Sequence, residues 1–222
     1  PINHFPLTED APFSVLMGGG IGITPMIAMA HRLHHLGRDF ALHYSARTAA
    51  DLAFAAEIAA APWAAHAVLH VSDQGSRAEF DTILSGHPAG SHAYACGTPA
   101  YMEAAMTAAA RAGFAEDQCH IEYFAVPEAP PRENHSFTVH LAKTGKDIHV
   151  PADRNLSDML TEAGVPVDVK CADGICGVCA CGLVEGDADH RDYVLSQAQR
   201  ETTLITCQSR AAAAGGHLVL DL

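Results

Sequence analysis

The chain has 222 residues, 49% of them apolar, and a formal net charge of −13. That length fits one large domain or two ordinary ones, with enough apolar residues for a buried core. The acidic balance argues against nucleic acid and anionic membrane surfaces and suits a partner that presents a basic docking face.

The first predicted elements alternate strand and helix. Residues 13–17 form a short apolar strand and 24–36 have helical character. Residues 40–44 are a second strand, followed by an Ala-rich helix through Ile58, and 67–71 are a third strand. Residues 91–95 lead into Cys96-Gly97-Thr98-Pro99, then a helix over 100–112 and a strand over 120–124. This repetition predicts an α/β domain with a parallel sheet over residues 1–126. The charge-free run 13–30 approaches the length of a membrane span. Gly18, Gly19, Gly20, Gly22 and Pro25 in its middle instead read as strand, tight loop and helix.

Residues 127–134 hold three of the chain's prolines and several charges, and are predicted as a linker. Beyond them, 137–141 and 147–150 are strand candidates joined by a turn at Lys143-Thr144-Gly145. A helix over 155–164 ends on glycine, and 218–222 is a last strand. Residues 135–222 thus read as a small α+β module.

The seven cysteines cannot all pair within the chain, and four crowd into 171–181. Without secretory features such crowding speaks for metal binding rather than a disulfide scaffold, and the cytoplasm is the natural compartment. Cys171-x4-Cys176-x2-Cys179, with Cys207 further on, is the plant-type [2Fe–2S] spacing. Four thiolates must converge on two irons, and Gly174 and Gly177 let the backbone curl so that amides can donate to sulfur. The competing reading is a zinc site, although zinc usually takes C-x2-C pairs in two halves. Cys181 and Cys119 read as small core residues.

The segments Cys171–Cys179, 185–192, Leu195, Cys207-Gln208-Ser209-Arg210 and 218–222 resemble the ferredoxin module of the phthalate dioxygenase reductase and vanillate demethylase reductase family. The resemblance implies the β-grasp fold of plant ferredoxins. The stretch Asp189-His190-Arg191-Asp192 belongs to this match, but no chemistry follows from its residues, and it reads equally as a polar turn.

Gly18-Gly19-Gly20-Ile21-Gly22-Ile23-Thr24-Pro25 follows a strand and opens a helix. Pro25 stands where the dinucleotide fingerprint would have a third glycine. A Gly-rich strand–helix turn still offers free amides and a helix N-terminus to an anion, with Pro25 suited to the first turn. The alternative is a mere tight turn. Gly20–Pro25 together with Ala95–Pro99 resembles the NAD(P)H domain of the ferredoxin–NADP reductase superfamily, with Thr98 where many relatives have proline. The resemblance implies pyrophosphate binding at Gly20, Gly22, Thr24 and Pro25. It places Cys96, Gly97 and Thr98 by the nicotinamide, with Thr24 and Cys96 nearest the hydride transfer. Cys96 alone also reads as a buried strand-end thiol. Tyr44-Ser45-Ala46-Arg47 ends the second strand, where an adenine ribose should lie. No acidic residue waits there for a 2′-hydroxyl, and Arg47 either faces a 2′-phosphate or is a solvated surface residue. Arg47 leans toward NADPH; the resemblance implies NADH, which is the expectation taken. The fifteen histidines show no competing ligand spacing and are expected mostly at the surface.

A hydride carries two electrons and a [2Fe–2S] cluster accepts one, so something must take the pair and release singles, and a flavin is the usual answer. The family's flavin domain, with its Arg-x-Tyr-Ser motif, has no counterpart in this sequence. The opening Pro1-Ile2-Asn3-His4-Phe5 resembles that domain's last residues, and the start at Pro1 suits a processed chain or a piece of a longer one. By resemblance, Asn3 and Phe124 lie against FMN in the complete protein, Phe124 otherwise being a core aromatic. The expected function is the C-terminal part of an NADH-dependent reductase. It feeds a Rieske-type terminal oxygenase acting on an aromatic compound, with neither nucleic acid nor membrane as partner. The alternatives are a flavin-free electron carrier with a docking NAD-like domain, and a reductase serving a cytochrome P450.

Overall fold

The computed structural model describes residues 5–126 and 132–222. The chain divides into two compact units, residues 1–124 and 125–222. Asn3 and residues 127–131 of the predicted linker lie outside the described residues.

The first unit has five parallel strands: β1 (Ser14–Gly19), β2 (Phe40–Ala46), β3 (Ala67–Val71), β4 (His92–Cys96) and β5 (Cys119–Glu122), in the order β3-β2-β1-β4-β5. Its helices are α1 (Ile23–His35), α2 (Ala55–Ala60), α3 (Phe80–Ile83) and α4 (Pro99–Arg111). The central strand β1 is buried on both faces, as a parallel strand covered by helices must be. On one face Leu16, Leu42, Tyr44 and Tyr94 pack with Ile23, Met26 and Leu33 of α1 and with Trp63. On the other, Val15, Met17, Ala93 and Ala95 meet Met102, Ala105, Ala108 and Ala109 of α4, whose small side chains allow close approach. The uncharged run 13–30 is β1, a tight loop and most of α1. Among the described residues no helix is long and apolar enough to cross a membrane.

Three predictions for this unit need correction. The Ala-rich stretch after β2 is not one helix: Thr48 and Asp51 cap a short 3-10 turn at Ala49–Asp51, and α2 starts afresh at Ala55. The last strand ends at Glu122, leaving Phe124 beyond the sheet and 51% exposed, so it is not a core aromatic. Of the nine described histidines in this unit four are exposed and five half-buried. His43 with His70, and His92 with His120, join rings across neighbouring strands at 3.0 and 2.8 Å.

The second unit is a mixed sheet, β10-β8-β12-β6-β7, with a separate ribbon of β9 and β11. Its strands are β6 (Phe137–Leu141), β7 (Lys146–Val150), β8 (Ala180–Glu185), β9 (Ala188–Asp189), β10 (Thr203–Ile205), β11 (Arg210–Ala211) and β12 (His217–Leu220). Strand β12 runs parallel to β6, and α5 (Leu156–Glu162) lays Leu156 and Leu160 on Phe137, Val139, Ile148, Leu204 and Leu218. A short α6 (Gln197–Arg200) precedes β10. This is the β-grasp arrangement. Helix α5 stops where Gly164 takes φ +77°, a left-handed turn that glycine adopts without strain.

Candidate functional site

In the first unit the strand order reverses between β1 and β4. Open α/β sheets bind ligands outside the carboxyl ends of their strands at such a point. Gly18 pairs with Cys96 there, so the loops after β1 and β4 leave the sheet side by side. A Cβ on Gly22 would lie 2.3 Å from the Cys96 carbonyl oxygen, so only glycine lets the two loops touch. Gly20 serves differently: nothing crowds it, but its φ is +56°, a region costly for other residues. The 3-10 turn Gly20–Gly22 runs straight into α1, whose first turn carries no acidic residue. The positive end of the helix therefore faces the crevice uncompensated. Thr24, half-buried, donates its hydroxyl to the Ile21 carbonyl at 3.1 Å, and Pro25 follows it in the first turn.

Thr98 caps α4 by accepting from the Tyr101 amide at 3.4 Å, with Pro99 at the first helical position. Cys96 is buried with the α1-side core, and burial, then the charge of Glu122, push its thiol up to about 12. It therefore stays protonated at neutral pH. Arg47 is exposed just past the end of β2.

Two residues of this crevice escaped the sequence reading. The Tyr101 ring lies under Gly19 and Gly97, 3.3 and 2.9 Å from where their Cβ atoms would be, and its hydroxyl meets Ser45 Oγ at 3.2 Å. It ties together the ends of β1, β2 and β4. Burial pushes its phenol up to about 12. Glu122 stands opposite Cys96 on β5, its carboxyl raised by burial. A polar aromatic one turn into a capped helix was the available signal for Tyr101; Glu122 gave none.

In the second unit, residues 171–179 form a loop with Ala172, Gly174 and Gly177 at φ +59°, +73° and +70°. The four thiols stand in two hydrogen-bonded pairs, Cys171 with Cys176 and Cys179 with Cys207. Burial raises the Cys171 thiol, but the Asp173 amide at 3.3 Å, the Cys176 thiol and the amides of Ile175 and Cys176 outweigh it and hold the group low. Cys207 donates to Cys179 and brings it down to about 6, while Cys207 itself is raised. The Gly174 amide also donates to Cys207. Two irons bridged by sulfide need two thiolates each, with amides aimed at sulfur, and this donor set fits that demand. Cys181 points into the hydrophobic core on β8, pushed up to about 12 by burial and by Cys179. Cys119 is half-buried at the start of β5, its thiol also raised by burial.

Residues 139–212 match the 2Fe-2S iron-sulfur cluster binding domain. Vanillate O-demethylase oxidoreductase of a Pseudomonas species is 37% identical over 226 residues, covering 100% of this chain and 71% of the relative. The solved phthalate dioxygenase reductase, described as a modular structure for electron transfer from pyridine nucleotides to [2Fe–2S], is 36% identical with a TM-score of 0.60. It covers 100% of this chain and 69% of that one. The sequence of that reductase in Burkholderia cepacia is likewise 36% identical. An intact type IV self-sufficient cytochrome P450 monooxygenase is 33% identical with a TM-score of 0.82, over 100% of this chain and 29% of that one.

A parallel nucleotide-type sheet followed by a [2Fe–2S] module defines an iron–sulfur oxidoreductase. The family's cofactors are a [2Fe–2S] cluster, NADH and FMN. The chain belongs to the family of phthalate dioxygenase reductase and vanillate O-demethylase oxidoreductase. It spans 68% to 72% of the length of its curated relatives.

Proposed function

We propose that this chain is the NADH-binding and cluster-carrying part of a cytoplasmic reductase for a Rieske-type terminal oxygenase acting on an aromatic compound. The observation that carries the reading is the pairing, in one chain, of an anion loop at a sheet's switch point with four thiols set two by two. We assign residues 1–126 to the nucleotide domain, 127–134 to the linker and 135–222 to the ferredoxin domain.

The loop at Gly20 and Gly22 and the first turn of α1, with Thr24 and Pro25, receive the pyrophosphate. Cys96, Gly97 and Thr98 would flank the nicotinamide, with Thr24 and Cys96 nearest the hydride transfer. Ser45, held by Tyr101, and Arg47 lie at the adenine ribose. Phe124, exposed past β5, and Asn3 face the flavin. Cys171, Cys176, Cys179 and Cys207 hold the cluster. A flavin supplies the conversion of a two-electron hydride into single electrons, which a [2Fe–2S] centre accepts one at a time.

The test is rapid mixing of the iron-loaded chain with NADH, alone and joined to the family's flavin domain. NADH binds in both cases, and the visible absorbance of the cluster bleaches only with the flavin domain present. Full-rate bleaching of the chain alone would refute the electron route and the assignment of Phe124. A second reading, service to a cytochrome P450, is favoured by the likeness to the self-sufficient monooxygenase. Comparing electron delivery to a Rieske oxygenase and to a P450 decides between them.

A further inference from the structure

The stretch Asp189-His190-Arg191-Asp192, for which the sequence offered no chemistry, turns out to hold the end of the linker. Arg191 has a side chain only 17% exposed. Its Nε donates to Asp189 Oδ2 at 2.6 Å, and its two terminal nitrogens donate to Asn134 Oδ1 at 2.6 Å and the Glu133 carbonyl at 3.1 Å. The other Asp189 oxygen accepts from Arg132 at 2.9 Å. Arg210, pairing with Asp189 across β9 and β11, donates to the His135 carbonyl at 2.9 Å. Residues 132, 133, 134 and 135 are therefore each fastened to the same polar patch.

That patch is continuous with the thiol loop. Immediately after Arg191 and Asp192, the Tyr193 amide donates to the Gly174 carbonyl at 3.0 Å. A Cβ on Gly174 would lie 3.2 Å from Asp192 Cα. The amide of Gly174 in turn reaches the Cys207 sulfur, and Arg210 follows Cys207 by three residues. Asp192, buried, fixes the segment by accepting from the amides of Val194 and Leu195 at 3.1 and 2.8 Å. A surface ion pair contributes little, but a mostly desolvated guanidinium satisfied by a carboxylate, an amide oxygen and a backbone carbonyl is a rigid fork.

We propose that Arg191, oriented by Asp189, is a positioning residue for electron delivery: it locks the last linker residues onto the segment that supports the thiol loop. The backbone of residues 132–135 is then held as it enters the ferredoxin module, and electron delivery to the cluster depends on that hold. This rests on the electron route proposed above. Each electron still originates in NADH and passes singly through the flavin to the cluster and on to an added acceptor such as ferricyanide; Arg191 exchanges none.

The first measurement uses the chain as it stands. A glutamate-specific protease cuts after Glu133, the carbonyl of which Arg191 holds. Arg191→Ala and Asp189→Asn should raise cleavage there by about ten-fold or more relative to cleavage after Glu128, as the locally open population grows. The cluster's paramagnetic signature and midpoint potential should stay as in the unsubstituted chain, and Arg191→Lys should recover only part of the protection. The second measurement joins the flavin domain: NADH reduces the flavin at an unchanged rate in Arg191→Ala, while cluster reduction slows about five-fold or more. Unchanged cleavage would overturn the lock. Increased cleavage with undiminished cluster reduction would overturn its role in delivery. A shifted potential or paramagnetic signal would overturn it too, by showing that Arg191 acts on the cluster itself. If the unsubstituted reductase passed no electrons from flavin to cluster, the electron route would fall, and the cleavage result would still decide the lock.

Discussion

Gly22→Ala should disturb the nucleotide crevice by steric force, without touching any ligand. The added methyl would sit 2.3 Å from the Cys96 oxygen, 2.4 Å from its carbonyl carbon and 2.8 Å from the Gly97 nitrogen, all backbone. No side-chain rotation relieves this, so the two loops must part by roughly 1 Å to restore ordinary contact. Overpacking of that kind costs about 1–3 kcal/mol, which for a domain of this size lowers the unfolding midpoint by roughly 4 to 12 °C. Trp63 is the only tryptophan and is buried in the first unit, so its fluorescence reports that unit's unfolding separately from cluster absorbance. NADH affinity should fall about ten-fold or more, because groups placed to receive the nucleotide move by about 1 Å. Gly20→Ala is the control: it meets nothing within 4 Å and suffers only its left-handed backbone, a cost of about 1 kcal/mol. An unchanged Trp63 midpoint and unchanged NADH affinity in Gly22→Ala would refute the loop-against-loop argument.

Cys171→Ala, Cys176→Ala, Cys179→Ala and Cys207→Ala should each abolish the cluster, measured as loss of about two irons and two sulfides per chain, whereas Cys181→Ala keeps them; loss in Cys181→Ala would overturn the ligand assignment. His43 and His120 are each held down at about 4, first by burial and then by a neighbouring histidine. Their folded values lie below the unfolded one, so their contribution to stability is complete above about pH 6.5 and is lost as pH falls toward 4. The Trp63 midpoint should decline across that window and less so in His120→Asn; an identical decline in both proteins would refute the assignment to His120. Arg47→Ala should change NADH affinity by less than about two-fold, as expected of an exposed cation, and a marked NADPH preference that vanishes in this variant would show a 2′-phosphate site instead.

The legible parts of this molecule were those specified by neighbours in sequence. The strand–glycine–helix unit around Gly20 and the thiol spacing from Cys171 to Cys179 each name their local structure, since a turn or a loop is decided within a few residues. Strands β8 and β10 were missed. Ala180–Glu185 contains Cys181 and Gly182 and has no clean alternation, and its register comes from pairing with Thr203–Ile205 and with β12. Tyr101 reached Ser45 across 56 residues, and Arg191 reached Glu133 across 58; no spacing rule foretells such meetings. The histidines misled for the same reason. His43 and His70 look like surface residues in a sequence, but neighbouring strands bring their rings together where burial keeps both low.

The cysteines show how far local environment divides one residue type. Cys179 and Cys181 are two positions apart, yet the first is drawn down to about 6 by its partner Cys207 and the second is pushed up to about 12 by the apolar core. Metal ligation requires the thiolate, but thiol acidity alone does not mark the proposed ligands, since Cys207 is itself raised by its bond to Cys179 and by burial. Cys96, also at about 12, is likewise raised by burial although it borders the nucleotide crevice. The three cysteines outside the proposed ligand set, Cys96, Cys119 and Cys181, all have thiols raised by burial. An alkylating reagent should bear this out. In the metal-free chain it should label Cys171, lowered and only half-buried, well before Cys96 or Cys181, read by mass spectrometry, because alkylation follows thiolate population and access. Equal labelling of Cys181 and Cys171 would mean that the apolar core does not shield Cys181.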